Sequence, residues 1–101
     1  MDSKDFFVVR ATAILKLLAD ETRLNILMEL MEASKRSGEL AEKLKMSRSA
    51  ISHQLRILKA NNLVVSKRDG RNKIYKLSDK HVQYLLQMLK EHIMEDYHAR
   101  S

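Results

Sequence analysis

A mainly helical fold with one two-stranded β-hairpin is predicted by three observations. Apolar residues recur at three- and four-residue steps over most of the chain. Proline is absent and glycine occurs only twice in 101 residues, so little interrupts a helix. A single Asp69-Gly70 dipeptide separates two β-leaning runs, Leu63-Val64-Val65 and Ile74-Tyr75-Lys76-Leu77, and readily adopts the positive φ of a tight hairpin turn.

Each helix can be placed in order. Phe6, Phe7, Val8, Ala11, Ile14, Leu15 and Leu18 define a first helix with a wide apolar face, ending near Ala19. Asp20 is an N-cap for a second helix, with Leu24, Leu27, Leu30 and Met31 on one face and an end near Ala33. Residues 34–38 read as a break, and Leu40, Ala41 and Leu44 mark a short third helix. After a Lys45-Met46 turn, Ser47 caps a fourth, whose core stripe is Ile51, Leu55 and Leu58 and whose end is the Asn61-Asn62 pair. Ser78 or Asp79 caps a last helix running to about Tyr97. Two helices, a short turn, a helix and a basic-tipped hairpin make the order of a winged helix-turn-helix.

Composition removes several functions. With no cysteine, the chain has no disulfide, no thiolate metal site and no thiol nucleophile, in keeping with a reducing cytosol. Its apolar runs are a few residues long, against about 20 for a membrane-spanning helix. A soluble, cytoplasmic, single-domain protein over residues 1–101 is expected. A chain this short leaves much apolar surface uncovered, which favours an oligomer.

The net charge of +6 is unevenly distributed. Between Lys43 and Lys80 eleven Lys and Arg stand against only Asp69 and Asp79, a local +9, while the remaining eight basic residues face eleven acids, a net −3. One basic block beside an acidic remainder is the footprint of a polyanion-binding face. Ser47, Arg48, Ser49, Ser52, His53 and Gln54 lie at or near the amino end of the fourth helix, off its core stripe. Small hydroxyls and a helix amino terminus suit phosphates, while Arg48 and Gln54 are the residue types that pair bidentately with guanine and adenine edges. Lys67, Arg68, Arg71, Asn72 and Lys73 cluster around the hairpin turn, where long cations reach flanking phosphates or a minor groove. Double-stranded DNA is the expected partner.

The segments Leu18-Ala19-Asp20-Glu21-Thr22-Arg23-Leu24-Asn25-Ile26-Leu27, Ser47 through Leu58 and Leu63-Val64, with the Asp-Gly wing, resemble the signature segments of the ArsR/SmtB metalloregulators in the right order and over nearly the whole chain. The resemblance implies a homodimeric bacterial repressor that reads operator DNA.

The last helix carries Asp79, His81, His92 and Glu95. His81 and His92 are eleven residues apart, about 20° in azimuth but roughly 16 Å along an ideal helix, so one helix cannot close a four-ligand site. Antiparallel packing of two such helices about a two-fold axis brings Asp79 and His81 of one chain to His92 and Glu95 of the other, twice. A stripe of His81, Leu85, Met88, His92, Glu95 and Ala99, with Val82, Leu86, Leu89 and Ile93 alongside, is suited to that pairing. Two imidazoles and two carboxylates fit tetrahedral Zn(II), with Co(II) as a mimic. The pattern resembles the C-terminal-helix zinc site of SmtB-type sensors, residue by residue. Ser37-Gly38-Glu39-Leu40 occupies the place of the thiol-bearing site of some relatives, His98 falls outside the four-ligand set, and an amino terminus offering Asp2 and Asp5 rather than histidine disfavours nickel.

The expected function is a metal-responsive repressor that binds its operator as an apo dimer and is released by Zn(II). The alternative is a winged-helix regulator sensing a non-metal signal or none. A nonspecific architectural DNA binder would differ by discriminating little among sequences. An enzyme is not expected, because a zinc hydrolase needs a base beside a substrate cleft and no H-E-x-x-H segment is present.

Overall fold

The computed structural model describes residues 1–100. Five helices and three strands follow the order α1 (Ser3–Leu18), α2 (Glu21–Glu32), β1 (Lys35–Arg36), α3 (Ser37–Leu44), α4 (Arg48–Ala60), β2 (Val64–Asp69), β3 (Asn72–Leu77) and α5 (Lys80–Arg100). The sheet order is β1-β3-β2, antiparallel throughout.

Local chemistry sets the boundaries. The Asp20 carboxylate accepts from the Arg23 amide at 3.0 Å, Ser47 Oγ from the Ala50 amide at 3.1 Å, and the Asp79 carboxylate from the Val82 amide at 3.0 Å. Each satisfies a backbone donor that the first turn of a helix leaves open. The two helix exits flanking the reading unit share another device. After α3, Lys45 adopts a φ of 55° and the Met46 amide reaches back to the Ala41 carbonyl at 2.9 Å; after α4, Asn62 adopts 60° and the Leu63 amide reaches the Leu58 carbonyl at 3.0 Å. These left-handed closures redirect the chain within two residues, and asparagine tolerates that conformation well.

Two details depart from the sequence expectation. The predicted break at 34–38 contains a strand, Lys35 pairing with Tyr75 and Arg36 with Ile74, and α3 begins at Ser37. Lys-Arg has little intrinsic strand preference; the free edge of β3 imposes it. The hairpin loop is Gly70-Arg71 rather than Asp69-Gly70, because Asp69 pairs with Asn72. Gly70, at φ +63°, takes the first loop position, where a side chain would be strained.

The core is formed by Ile26, Leu27 and Leu30 of α2, Leu40 and Ala41 of α3, Ile51, Leu55 and Leu58 of α4, and Leu63, Val64 and Leu77 of the wing, closed by Leu86 of α5. Helix α1 buries no residue and α5 buries only Leu86. Phe6, Phe7, Val8, Val9 and Leu15 on α1, and Tyr84, Leu85, Met88, Leu89, Ile93 and Tyr97 on α5, are exposed. So much uncovered apolar surface on two helices marks an interaction face rather than scattered surface residues.

Candidate nucleic-acid interface and metal half-sites

Helix α4 stands with its core stripe against α2 and α3, and the wing lies beside it. Between them opens a cleft of about 820 Å³. Arg48, Ser52, Arg56 and Lys59 line it from one strip of α4, at helical spacings of four, four and three, while Arg71, Asn72 and Lys73 line it from the wing. Its third wall is the start of α3. There Gly38 lies so close to the Arg48 guanidinium that an added Cβ would stand 3.0 Å from Nη2, so this glycine leaves the arginine its path across the cleft.

Two polar ties join the elements around the cleft. Lys59 Nζ donates to Ser66 Oγ at 2.7 Å, joining α4 to β2. Arg36 Nη2 donates to the Asp69 carboxylate at 3.2 Å, joining the third wall to the wing tip. Arg48, Arg56, Arg71 and Lys73 make no ion pair among the described residues, leaving four cations around one concave surface for a polyanion.

The sequence-predicted residues divide over this surface. Ser47, Arg48, Ser49, Ser52 and His53 are all exposed on α4, with Ser47 Oγ also 3.2 Å from Ser49 Oγ. Gln54 is placed differently. It is half-buried on the flank of α4 that meets α2, where its Oε1 accepts from Arg23 Nε at 3.1 Å, and Arg23 also pairs with Asp20 at 3.6 Å. Arg71 and Lys73 line the cleft, whereas Lys67 and Arg68 are exposed on β2 outside it. Arg36, Arg56 and Lys59 also line it but are absent from the sequence-derived reading set. Arg56 was within reach of sequence reasoning, four residues after Ser52 and eight after Arg48; no local signal points to Arg36.

On α5 the four candidate metal ligands form two separate pairs. Asp79 and His81 stand at the amino end with Asp79 Oδ1 3.8 Å from His81 Nδ1, and both are exposed. The Val82 amide bonded to Asp79, with smaller contributions from His81, holds the carboxyl below its ordinary value. His92 and Glu95 are exposed one turn apart further along the helix. Among the described residues no group of three or more His, Asp or Glu side chains gathers to hold a metal within the chain. Within the chain the two pairs stay apart on α5. The Asp79–His81 pair lies close to the end of α4: the Ser78 amide, immediately before Asp79, donates to the Leu63 carbonyl at 3.1 Å, where α4 gives way to β2.

Residues 20–66, from the cap of α2 through α4 to the middle of β2, match the family model described as bacterial regulatory protein, arsR family. The chain is 43% identical over 86 residues to the HTH-type transcriptional regulator NmtR of Mycobacterium tuberculosis, covering 85% of this chain and 70% of that protein. This chain belongs to the ArsR family. It is also 42% identical over 78 residues to a transcriptional repressor SmtB homolog of Synechocystis, covering 77% of this chain and 59% of that longer protein. The solution structure of a homodimeric winged helix-turn-helix domain from Mycobacterium bovis, a possible ArsR-family regulator, superposes with a TM-score of 0.85 at 25% identity, covering 98% of this chain and 90% of that one. This ArsR-family chain is therefore a winged-helix transcriptional regulator and not an enzyme. No helix among its described residues is long and apolar enough to cross a membrane.

Proposed function

We propose that this ArsR-family chain is a cytoplasmic single-domain repressor that binds operator DNA as an apo homodimer and is released on Zn(II) binding at two inter-subunit sites, each built from Asp79 and His81 of one protomer and His92 and Glu95 of the other. The observation that carries this reading is the splitting of the four ligands into exposed pairs at separate levels of α5, on a helix whose apolar face is uncovered. Neither pair suffices alone, and antiparallel pairing completes both. Bound zinc would supply a fixed tetrahedral charge joining the ends of two helices. Asp79 is suited to its part because its cap bond to Val82 involves Oδ1 and leaves Oδ2 for a ligand.

In the repressor, Ser47, Ser49 and His53 present the exposed face of α4 to the major groove, with Arg48 and Ser52 on the cleft side of the same helix. Arg71 and Lys73 grip the backbone across the cleft, and Lys67 and Arg68 extend the contact along the wing. Gln54 acts mainly from behind: held by Arg23, it fixes the rotation of α4 on α2. Movement of α5 reaches this reading head through Ser78 and Leu63, so the packing of two α5 helices sets the spacing of two heads. Co(II) is expected to mimic Zn(II) because it accepts the same ligands.

Subunit complementation tests the reading. His81→Ala and His92→Ala homodimers should each lose tight zinc binding in chelator competition. Mixing them creates heterodimers with one intact site and one doubly damaged site, so binding should return to a fraction of the protomers. Mixtures that bind no more zinc than either parent would contradict the shared site.

A further inference from the structure

Among the cations lining the α4–wing cleft, Arg36 alone is ion-paired among the described residues, its Nη2 3.2 Å from Asp69 Oδ2. The pair spans 33 positions of sequence and joins β1 to the end of β2 across β3, at the edge of the cleft that Arg36 lines. Both side chains are about half exposed, at 49% and 56%. Asp69 is the only acid in the wing. Its carboxylate, two residues before Arg71 and opposite Asn72 in a strongly basic hairpin, holds an arginine that lines the cleft.

We propose that Arg36 is a further DNA-backbone contact, and that Asp69 occupies it in the free protein in the place that a phosphate takes in the complex. Carboxylate and phosphodiester each offer a guanidinium two anionic acceptor oxygens, so one can replace the other without rebuilding the site. A solvent-exposed pair is weakly held and screened by salt, which makes the exchange easy. The backbone N–H of Arg36 is separately anchored, donating to Glu39 Oε1 at 2.9 Å, so the side chain can change partner while its base stays fixed. Asp69 thereby subtracts from DNA affinity, and subtracts most where no continuous backbone enters the cleft. This inference rests on the DNA-binding reading above and adds a contact outside both the recognition helix and the hairpin.

A double-mutant cycle decides it. A duplex of about 30 base pairs, selected from a random pool by the wild-type protein, is titrated by fluorescence anisotropy over a range of salt concentrations with wild type, Arg36→Gln, Asp69→Asn and the double variant. Asp69→Asn should tighten binding about threefold or more, because Arg36 no longer leaves a carboxylate to take a phosphate, and Arg36→Gln should make the dependence of log K on log salt shallower by up to about 0.9 per protomer. Asp69→Ser should do the same, which separates loss of charge from any effect of the asparagine. In the Arg36→Gln background the gain should disappear. An equal gain with and without Arg36 would overturn the inference, because Asp69 would then act only as a negative charge near DNA. So would unchanged binding by both Asp69 variants. If wild type selects a duplex and zinc releases it while the cycle is additive, the repressor reading stands and this inference fails alone; if wild type selects no sequence, both fail.

Discussion

Replacing Arg56 with glutamine isolates the electrostatic grip of the cleft. Arg56 is exposed on α4, lines the cleft beside Ser52, and makes no ion pair or side-chain hydrogen bond among the described residues, so its loss removes no tie that holds the fold. Thermal stability should stay within the small range of a surface substitution, about ±0.5 kcal/mol. DNA binding should respond strongly. A dimer presents two copies, and each phosphate contact contributes about 0.9 to the slope of log K against log salt, so the variant's slope should be shallower by about 1.8. Over a fourfold rise in salt, wild type should therefore lose about 12-fold more affinity than the variant. Anisotropy titrations on one operator duplex at several salt concentrations measure this directly. A slope equal to that of wild type would refute the reasoning, whatever the affinity at any single salt, because it would mean that Arg56 neutralises no phosphate and that the cleft does not hold a DNA strand.

Other expectations concern the fold, the cap and the apolar face. Leu27→Ala, at a position with no exposure in the core of α2, should destabilise the chain by about 2–5 kcal/mol in urea melts through lost burial and the cavity left behind. Because the folded-state pKa of Asp79 is lowered, its cap bond contributes stability that is fully present above the unfolded value of about 4 and is lost as pH falls through the folded value. Asp79→Asn should accordingly flatten the acid limb of a stability–pH curve below about pH 4, seen by thermal melts across the acid range, while an unaltered limb would place that titration elsewhere. Phe6→Ser combined with Phe7→Ser should shift the protein from dimer toward monomer in sedimentation velocity, since these are the two aromatics of α1 and both are exposed; an unchanged dimer would assign the interface to α5 alone.

What the sequence makes legible here is local. Asp20, Ser47 and Asp79 announce helix starts because a short acceptor side chain bonds an amide only three residues on. The core stripe of α4 and the exposed faces of α1 and α5 follow from periodicity. Features that depend on distant partners are not legible. Strand β1 forms because β3 passes 40 positions later, as in the Lys35–Tyr75 pair, and Lys-Arg carries no trace of that. Gln54 looks like a base reader at its place in the helix, yet Arg23, 31 residues earlier, accounts for its carbonyl. The Arg36–Asp69 contact is hidden for the same reason. On α5 the spacing alone shows that His81 and His92 stand too far apart to share one ion within a helix.

Zinc at the α5 ligands is expected to weaken the hold of the α4–wing cleft on DNA. The most direct test is the affinity of the dimer for DNA from upstream of its own gene, measured by anisotropy first with chelator and then with stoichiometric Zn(II). Tight apo binding should weaken at least about tenfold with zinc, a coupling of about 1.4 kcal/mol within the usual allosteric range, and should not weaken in His92→Ala. Equal affinity with and without zinc in the wild-type protein would contradict it, leaving a winged-helix regulator whose α5 serves dimerisation alone.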